Sequence, residues 1–437
     1  MYLTSLKDIP SINEIIHELN GRVDVHEDYL KFIIKKLVEE SRSKIKKKEL
    51  TLTKNELKTH ILKSVLKKKD YSLTSVINGT GIVLHTGFGR APFYASSLKN
   101  IANRIEGYTN LEFDLETGQR GDRQIHIKDL LSSICGSESA MVVNNNAGAV
   151  MLAINAFAQD QGEVICSRGQ LVEIGGSFRI PDIIKKSGAK LIEVGTTNRT
   201  HIHDYENAIN SKTKLILQVH TSNYVVKGYT KSVELSDLVK LGKKHNVPVM
   251  SDWGSGTLLD TKKYFASDEI PIKRIIKRGP GLVTFSGDKL IGGPQSGIIV
   301  GGKKYIKMLK ENTLYRTLRC NKVTIALLED ILRTYKINSF KENNLSLSLL
   351  TSSRKDLKNK ALLILDSIKK HQIKKLNIKM IDSEVEAGSG SLPETKIESI
   401  AFIFKSQNYK AEKLAYYFRT AEFPVIGYII KNIFHID

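Results

Sequence analysis

Only three cysteines, Cys135, Cys166 and Cys320, occur in 437 residues. They are too few and too scattered for a disulfide framework or a zinc site, so no metal is implied and a reducing cytoplasm is the expected compartment. The opening residues, MYLTSLKDIPSINEIIHELN, hold no apolar stretch of the ~7–15 residues typical of a signal peptide. Nowhere do the roughly 18 apolar residues needed to span a bilayer run together. Internal repeats are lacking, and the one low-complexity patch, Gly388 to Ser391 (GSGS), is expected to be a surface loop. Acidic residues are also short, 46 against 67 Lys plus Arg, for a formal charge of +21. Such a surface attracts polyanions, nucleic acid or phosphate-bearing ligands first; the alternative is an unusually Lys-rich proteome. What is present is a 41% hydrophobic chain, enough for a large core divided into two or three domains.

From Ile12 to about Lys69 the apolar residues follow a helical period. Leu30, Ile33, Ile34, Leu37 and Val38 share one face, and Leu57, Ile61, Leu62, Val65 and Leu66 another. Thr53 with Glu56 reads as a capping box. Up to Asp70 there are 16 Lys plus Arg against 11 Asp plus Glu, with runs at Lys46-Lys47-Lys48 and Lys67-Lys68-Lys69. This is a small basic helical domain whose charge is either a binding surface or a solvated face. Beyond Tyr71 come Gly-rich turns and short β-rich runs: EVICSRG from Glu163, KLIEVG from Lys190, KLILQVH from Lys214, VPVMSD from Val247 and GLVTFSG from Gly281. Helix-length stretches separate most of them, the pattern of βα units and a mainly parallel central sheet flanked by helices. A helix from about Val323 to Tyr335 leads to a smaller α+β region with strands such as ESIAFIF. The expected domains are residues 1–72, 73–325 and 326–437.

Ligands of such sheets bind beyond the carboxyl ends of the strands. Those ends carry Ser167-Arg168, His220, Asp252 and Ser286-Gly287-Asp288-Lys289. A lysine in a loop otherwise short of side chains suits Schiff-base chemistry, and pyridoxal phosphate is the commonest carbonyl partner. That cofactor asks for a lysine, an acid beside its pyridinium nitrogen and a phosphate cradle. Lys289 is the candidate lysine. Asp252, 37 residues earlier, is the acid, unless it merely caps a helix. The turn Asn144-Asn145-Asn146-Ala147-Gly148, following a strand and opening a helix, is the cradle. The competing reading of Lys289 is an ordinary surface lysine. Arg90 in HTGFGRAP, with Arg316 and Arg319 in LYRTLRCNK, supplies guanidinium forks for a tetrahedral oxyanion, or else surface salt bridges.

Together the stretches INGTGIVLHTGFGRAP, NLEFDLETGQRGDR, VVNNNAGAV, SRGQLVEIGGSFRIPD, EVGTTNRTH, VHTSNYVVKGYT, FSGDKLIGGPQSGI and LYRTLRCNK carry a specific resemblance. Over essentially its whole length the sequence resembles the bacterial selenocysteine synthase family, the L-seryl-tRNA(Sec) selenium transferases. IPSINEII, from Ile9, is similar to the start of the full-length bacterial form, which has a tRNA-binding domain. The chain departs from the family pattern at Gly87-Phe88 and at Trp253, so packing at the cofactor pocket is expected to differ locally.

The resemblance implies a fold-type I pyridoxal phosphate-dependent transferase. It places Lys289 at the cofactor lysine and Asp252 at the pyridinium partner; the residue pattern adds Asn145, Asn146, Ala147, Gly148 and Ser286 as cofactor-binding candidates. Arg90, Arg316 and Arg319 fall at the selenophosphate positions, and Arg120 and Arg123 are read either as walls of a closed site or as an interface loop. It further implies seryl-tRNA(Sec) held by the N-terminal domain, and a homo-oligomeric ring, a decamer built from dimers with sites at dimer interfaces. The implied reaction converts L-seryl-tRNA(Sec) to L-selenocysteinyl-tRNA(Sec) with selenophosphate, through a cofactor-bound aminoacrylate. One rival reading is a lyase acting on a small amino acid or amino sugar, which would have no use for a basic N-terminal domain. Another is a non-enzymatic RNA-binding protein, which would need neither Lys289 nor Asp252. Gln170 and Leu171 are the candidates for the residue that stacks on the cofactor ring.

Overall fold

The computed structural model describes residues 9–19, 25–47, 49, 52–68, 71–175, 178–221, 224, 226–265, 267, 269–337 and 340–437. Lys48 and Lys69 of the two lysine runs lie outside the described residues, as do Gly176, Ser177, Ser222, Asn223 and Val225 of the motifs above and the side chains of Lys67 and Lys68. The chain forms two compact units, residues 1–76 and 77–437.

Among the described residues the first unit is three helices, α1 (Ile12–Leu19), α2 (Glu27–Lys46) and α3 (Lys54–Lys68). Ile15, Leu19, Leu30, Ile34, Leu57, Ile61 and Val65 form its core, each contributing about 1.5–3 kcal/mol by leaving water. The capping box forms as the spacing predicts: the Thr53 amide donates to Glu56 Oε2 at 2.8 Å, and the Glu56 amide to Thr53 Oγ1 at 3.2 Å.

The second unit is built on a seven-stranded sheet. In chain order its strands are β1 (Ser139–Val143), β2 (Glu163–Ser167), β3 (Lys190–Val194), β4 (Thr213–Val219), β5 (Val249–Gly254), β6 (Leu282–Ser286) and β7 (Gly297–Gly301). Their spatial order is β1-β7-β6-β5-β4-β2-β3, and only β7 runs antiparallel to its neighbours. Strands β1, β2, β5, β6 and β7 are buried along their whole length, as apolar runs covered on both faces must be. Val142, Ile165, Ile216 and Val283 face one helical layer, which includes α5 (Lys322–Thr334). Met141, Val164, Leu217 and Ile299 face the other, with α4 (Asn146–Ala158).

A second sheet of β8 (Ile378–Gly388), β9 (Ser391–Phe404), β10 (Tyr428–Ile430) and β11 (Ile433–Ile436) is antiparallel throughout. GSGS is a tight, half-buried turn rather than an open surface loop. Ser389 and Gly390, with φ of 54° and 65°, form a two-residue hairpin turn between paired Gly388 and Ser391, the geometry that matches strand twist. The turn is held down: Ser389 Oγ donates to the Leu84 carbonyl at 2.5 Å and Ser391 is buried. The hairpin therefore anchors the segment leading into His85–Arg90.

Candidate active site

Ser286 ends β6, and the loop to β7 folds back on itself. The Gly287 amide donates to the Ser296 carbonyl at 2.9 Å, and the Gly293 amide to the Gly287 carbonyl at 2.8 Å. A Cβ on Gly287 would lie 2.1 Å from Ser296 Oγ, and one on Gly292, at φ 73°, would lie 2.4 Å from Asn344 Oδ1. The glycines are what let the loop close over Lys289, which is only 6% exposed. That excludes the surface-lysine reading. Burial, and next the Arg90 charge, push the Lys289 ammonium below its usual range, while Asp252, Asp288 and Glu269 pull it back up. An amine that gives up its proton readily is what carbonyl chemistry needs.

Strand register places Asp252 between Val219 of β4 and Thr284 of β6. Its Oδ1 accepts from Asn146 Nδ2 at 2.9 Å, Thr284 Oγ1 at 3.0 Å and the Gly254 amide at 3.4 Å. The next helix does not begin until Thr261, so Asp252 is no helix cap. Burial raises its pKa above the usual carboxylate value, opposed by the hydrogen bonds from Asn146 and Thr284.

The Asn turn opens α4 as expected. Asn145 is the N-cap, its Oδ1 accepting from the Gly148 amide at 2.8 Å, worth about 1 kcal/mol to the helix. The amides of Asn146 and Ala147, in the first turn, have no acceptor within the helix and can face an anion. Gly148 and Gly297 leave no room for side chains: a Cβ would stand 2.9 Å from Asn144 Oδ1 in the first case and 2.1 Å from the Asn145 carbonyl in the second. Asn146 lies at the cradle, but its side chain reaches Asp252 instead.

Arg90, at φ 64°, pairs through Nη1 with Asp288 Oδ2 at 2.7 Å, beside Lys289. Arg319 binds Glu112 Oε1 at 3.0 Å, in a cluster where Arg120 and Arg123 hold the same carboxylate at 3.1 and 2.5 Å; Arg123 also donates to the Cys320 carbonyl. Arg316 is exposed, in the turn Thr313–Leu318, and makes no ion pair among the described residues. Arg90 thus sits at the Lys289 loop and Arg319 in the Glu112 cluster, with Arg316 exposed three residues before Arg319.

A cleft of about 800 Å³ lies at the carboxyl ends of the strands, lined among others by Ser167, Gln170, His220, Trp253, Glu269 and Lys396. It stops at His220 and Trp253; Lys289 and Asp252 are not on its lining. We take the buried pair as the chemical centre, because Lys289 and Asp252 join a buried amine of lowered pKa to a buried carboxylate. Gln170 lines the cleft, its Oε1 accepting from the Val219 amide at 3.0 Å. Among the described residues six buried side-chain polar atoms have no hydrogen-bond partner, and three are His85 Nδ1, Asn146 Oδ1 and His220 Nδ1. Orphans of this kind are rare and need an explanation. Here they lie in the loop carrying Arg90, on the residue bonded to Asp252 Oδ1, and at the strand end beside Asp252. Buried lysine, carboxylate, open helix amides and unsatisfied polar atoms together fit pyridoxal phosphate. Glu269, Thr284 and Glu112 escaped the sequence reading, since no spacing motif links them to Lys289 or Arg319, and Asp288 stood out only as a polar strand-end residue beside Lys289.

The fold is that of the fold-type I class of pyridoxal phosphate-dependent enzymes. A solved D-glucosaminate-6-phosphate ammonia-lyase superposes with a TM-score of 0.57 at 18% identity, over 84% of this chain and 90% of that one. The family model for L-seryl-tRNA selenium transferase (SelA) matches residues 76–437, and the chain belongs to that family. Proteins named L-seryl-tRNA(Sec) selenium transferase from Clostridium botulinum (strain Loch Maree / Type A3) and from Sulfurimonas denitrificans are each 40% identical, over 436 and 433 residues. Each alignment covers 99% of this chain and 94% of the relative.

Proposed function

We propose that this chain converts L-seryl-tRNA(Sec) to L-selenocysteinyl-tRNA(Sec), taking selenium from selenophosphate and using pyridoxal 5'-phosphate as cofactor. The observation that carries the reading is the 40% identity over 99% of the chain, first unit included, to proteins of that name. A lyase for a small amino acid or amino sugar is not favoured: the ammonia-lyase shares the fold at 18% identity, and fold alone does not carry function.

Bound pyridoxal phosphate acts as an electron sink that acidifies the serine α-proton and eases loss of the β-hydroxyl. The chain supplies everything else. Lys289 Nζ holds the cofactor and, once free, takes the α-proton, a task suited to an amine whose pKa burial has lowered. Asp252 would pair with the pyridinium nitrogen through Oδ2, since Oδ1 is already engaged by Asn146, Thr284 and Gly254. The Asn145–Gly148 turn binds the phosphate through main-chain amides, with Ser286 at the end of β6 beside it.

Arg90, Arg316 and Arg319 receive the phosphoryl group of selenophosphate, which leaves as phosphate when selenium replaces the β-oxygen. Arg316 is open to an oxyanion as it stands. Arg90 and Arg319 reach one by exchanging the carboxylates of Asp288 and Glu112 for phosphoryl oxygens. A homo-oligomer with sites at subunit interfaces, such as a decameric ring of dimers, is the assembly in which the three arginines work. The basic helical unit, residues 1–76, holds the tRNA. No helix among the described residues is long and apolar enough to cross a membrane, which agrees with a cytoplasmic place of work. The test is to incubate the purified protein with seryl-tRNA(Sec) and radiolabelled selenophosphate. Selenium label on the aminoacyl-tRNA supports the reading, and label that stays with selenophosphate removes it.

A further inference from the structure

His220 follows β4 directly, and its main-chain N–H donates to the Asp252 carbonyl at 2.8 Å. It is thereby fixed at the level of the carboxylate that faces the pyridinium. A bulge in the β5–β6 pairing sets Trp253 and Gly254, the latter at φ 60°, opposite a single residue of β6. Bulges re-aim side chains, and here the Trp253 indole lies flat against the His220 imidazole, with centroids 4.1 Å apart and planes 8° from parallel.

The indole is itself locked. Its Nε1 donates to Glu269 Oε1 at 3.0 Å, and Ser255 Oγ donates to the same oxygen at 2.6 Å. The other oxygen, Glu269 Oε2, stands 3.9 Å from His220 Nε2. One face of the imidazole is covered by the indole and its Nε2 edge meets a carboxylate. His220 Nδ1 is buried without a partner, and the part of the ring still accessible borders the 800 Å³ cleft. A stacked, carboxylate-flanked histidine with one unsatisfied nitrogen, a residue away from the cofactor's acid, is a construction that packing alone does not require.

We propose that His220 touches the bound cofactor, its Nδ1 accepting a hydrogen bond from a protonated polar substituent of the cofactor ring, and that Trp253 and Glu269 are its positioning residues. The Glu269 carboxylate favours the tautomer with the proton on Nε2, which leaves the Nδ1 lone pair for that bond. Burial lowers the imidazole pKa, opposed by Glu269 and Asp252, in keeping with a ring that accepts. The inference rests on pyridoxal phosphate occupying the site beside Lys289 and adds the residue that reads the ring's edge.

The test is a titration of the full-length apo-protein with pyridoxal phosphate, following the visible band and the dissociation constant in wild type, His220→Gln, His220→Phe, Trp253→Phe and Trp253→Ala. An acceptor role predicts that His220→Phe weakens affinity about tenfold, roughly 1.4 kcal/mol, and moves the band, while His220→Gln, which keeps an acceptor, stays closer to wild type. Trp253→Phe, which keeps the stack, is expected within about threefold of wild type, and Trp253→Ala should approach His220→Phe. A His220→Phe protein with wild-type affinity and an unmoved band overturns the proposal, and a Trp253→Ala protein with both unchanged overturns the positioning role. The wild-type titration separates the two levels: no band there brings down the cofactor reading and this proposal with it, whereas a normal wild-type band with indifferent His220 variants removes this proposal alone.

Discussion

Asn146 Nδ2 donates a 2.9 Å hydrogen bond to Asp252 Oδ1, joining the first turn of α4 to the end of β5. Asn146, in the turn proposed as the phosphate cradle, therefore also orients the Asp252 carboxylate. Asn146→Ala should weaken pyridoxal phosphate binding about tenfold, from the loss of one charge-assisted bond of roughly 1.5 kcal/mol. Fluorescence titration of the apo-protein reads this directly, and unchanged affinity would mean that Thr284 and Gly254 suffice to hold Asp252.

Gly287→Ala probes the loop. Its Cβ would stand 2.1 Å from Ser296 Oγ and 2.9 Å from the Pro294 carbonyl, and overpacking of this kind costs about 1–3 kcal/mol. The variant is expected to keep its far-ultraviolet circular dichroism but to load cofactor poorly, because Lys289 is displaced.

Lys289 imposes a pH dependence on the apo-protein. Its folded-state pKa lies below the unfolded value of 10.5, so between the two the unfolded chain binds more protons and stability rises with pH through that window. Lys289→Met should flatten this rise in denaturant-midpoint measurements and abolish turnover. A rise of the same size in the variant would show that Lys289 is not its source.

The arginines should separate by stability. Arg316 makes no ion pair among the described residues, so Arg316→Ala should leave the thermal midpoint unchanged while raising the selenophosphate KM and sparing the cofactor band. Arg319→Ala should show the same KM effect together with a loss of about 1–3 kcal/mol, since Glu112 loses one of its partners. Glu112 itself is held below the usual carboxylate range, first by the Arg123 hydrogen bond. Its contribution is thus complete above 4.5 and lost as pH falls through its folded value.

What could be read in the sequence followed from strand-end chemistry. Lys289 and Asp252 stand out because each ends a β-rich run, and the Asn turn because Asn and Gly open helices. Thr284 and Glu269 were illegible: Thr284 meets Asp252 only through the β5–β6 register, and Glu269 reaches Trp253 only because a bulge turns the indole toward it. GSGS was misread for a related reason. Its composition suits a loop, but its setting between two long paired strands makes it a tight turn packed on Leu84. The arginine motif marked a cluster without revealing that Glu112 already occupies part of it.

The most direct measurement is the visible absorbance of the purified, cofactor-loaded protein, with free L-serine added to one sample and seryl-tRNA(Sec) to another. The account predicts a band that seryl-tRNA(Sec) perturbs and free serine does not. A response to free serine alone would contradict it in favour of a small-molecule lyase, and the absence of any band would contradict the assignment of Lys289.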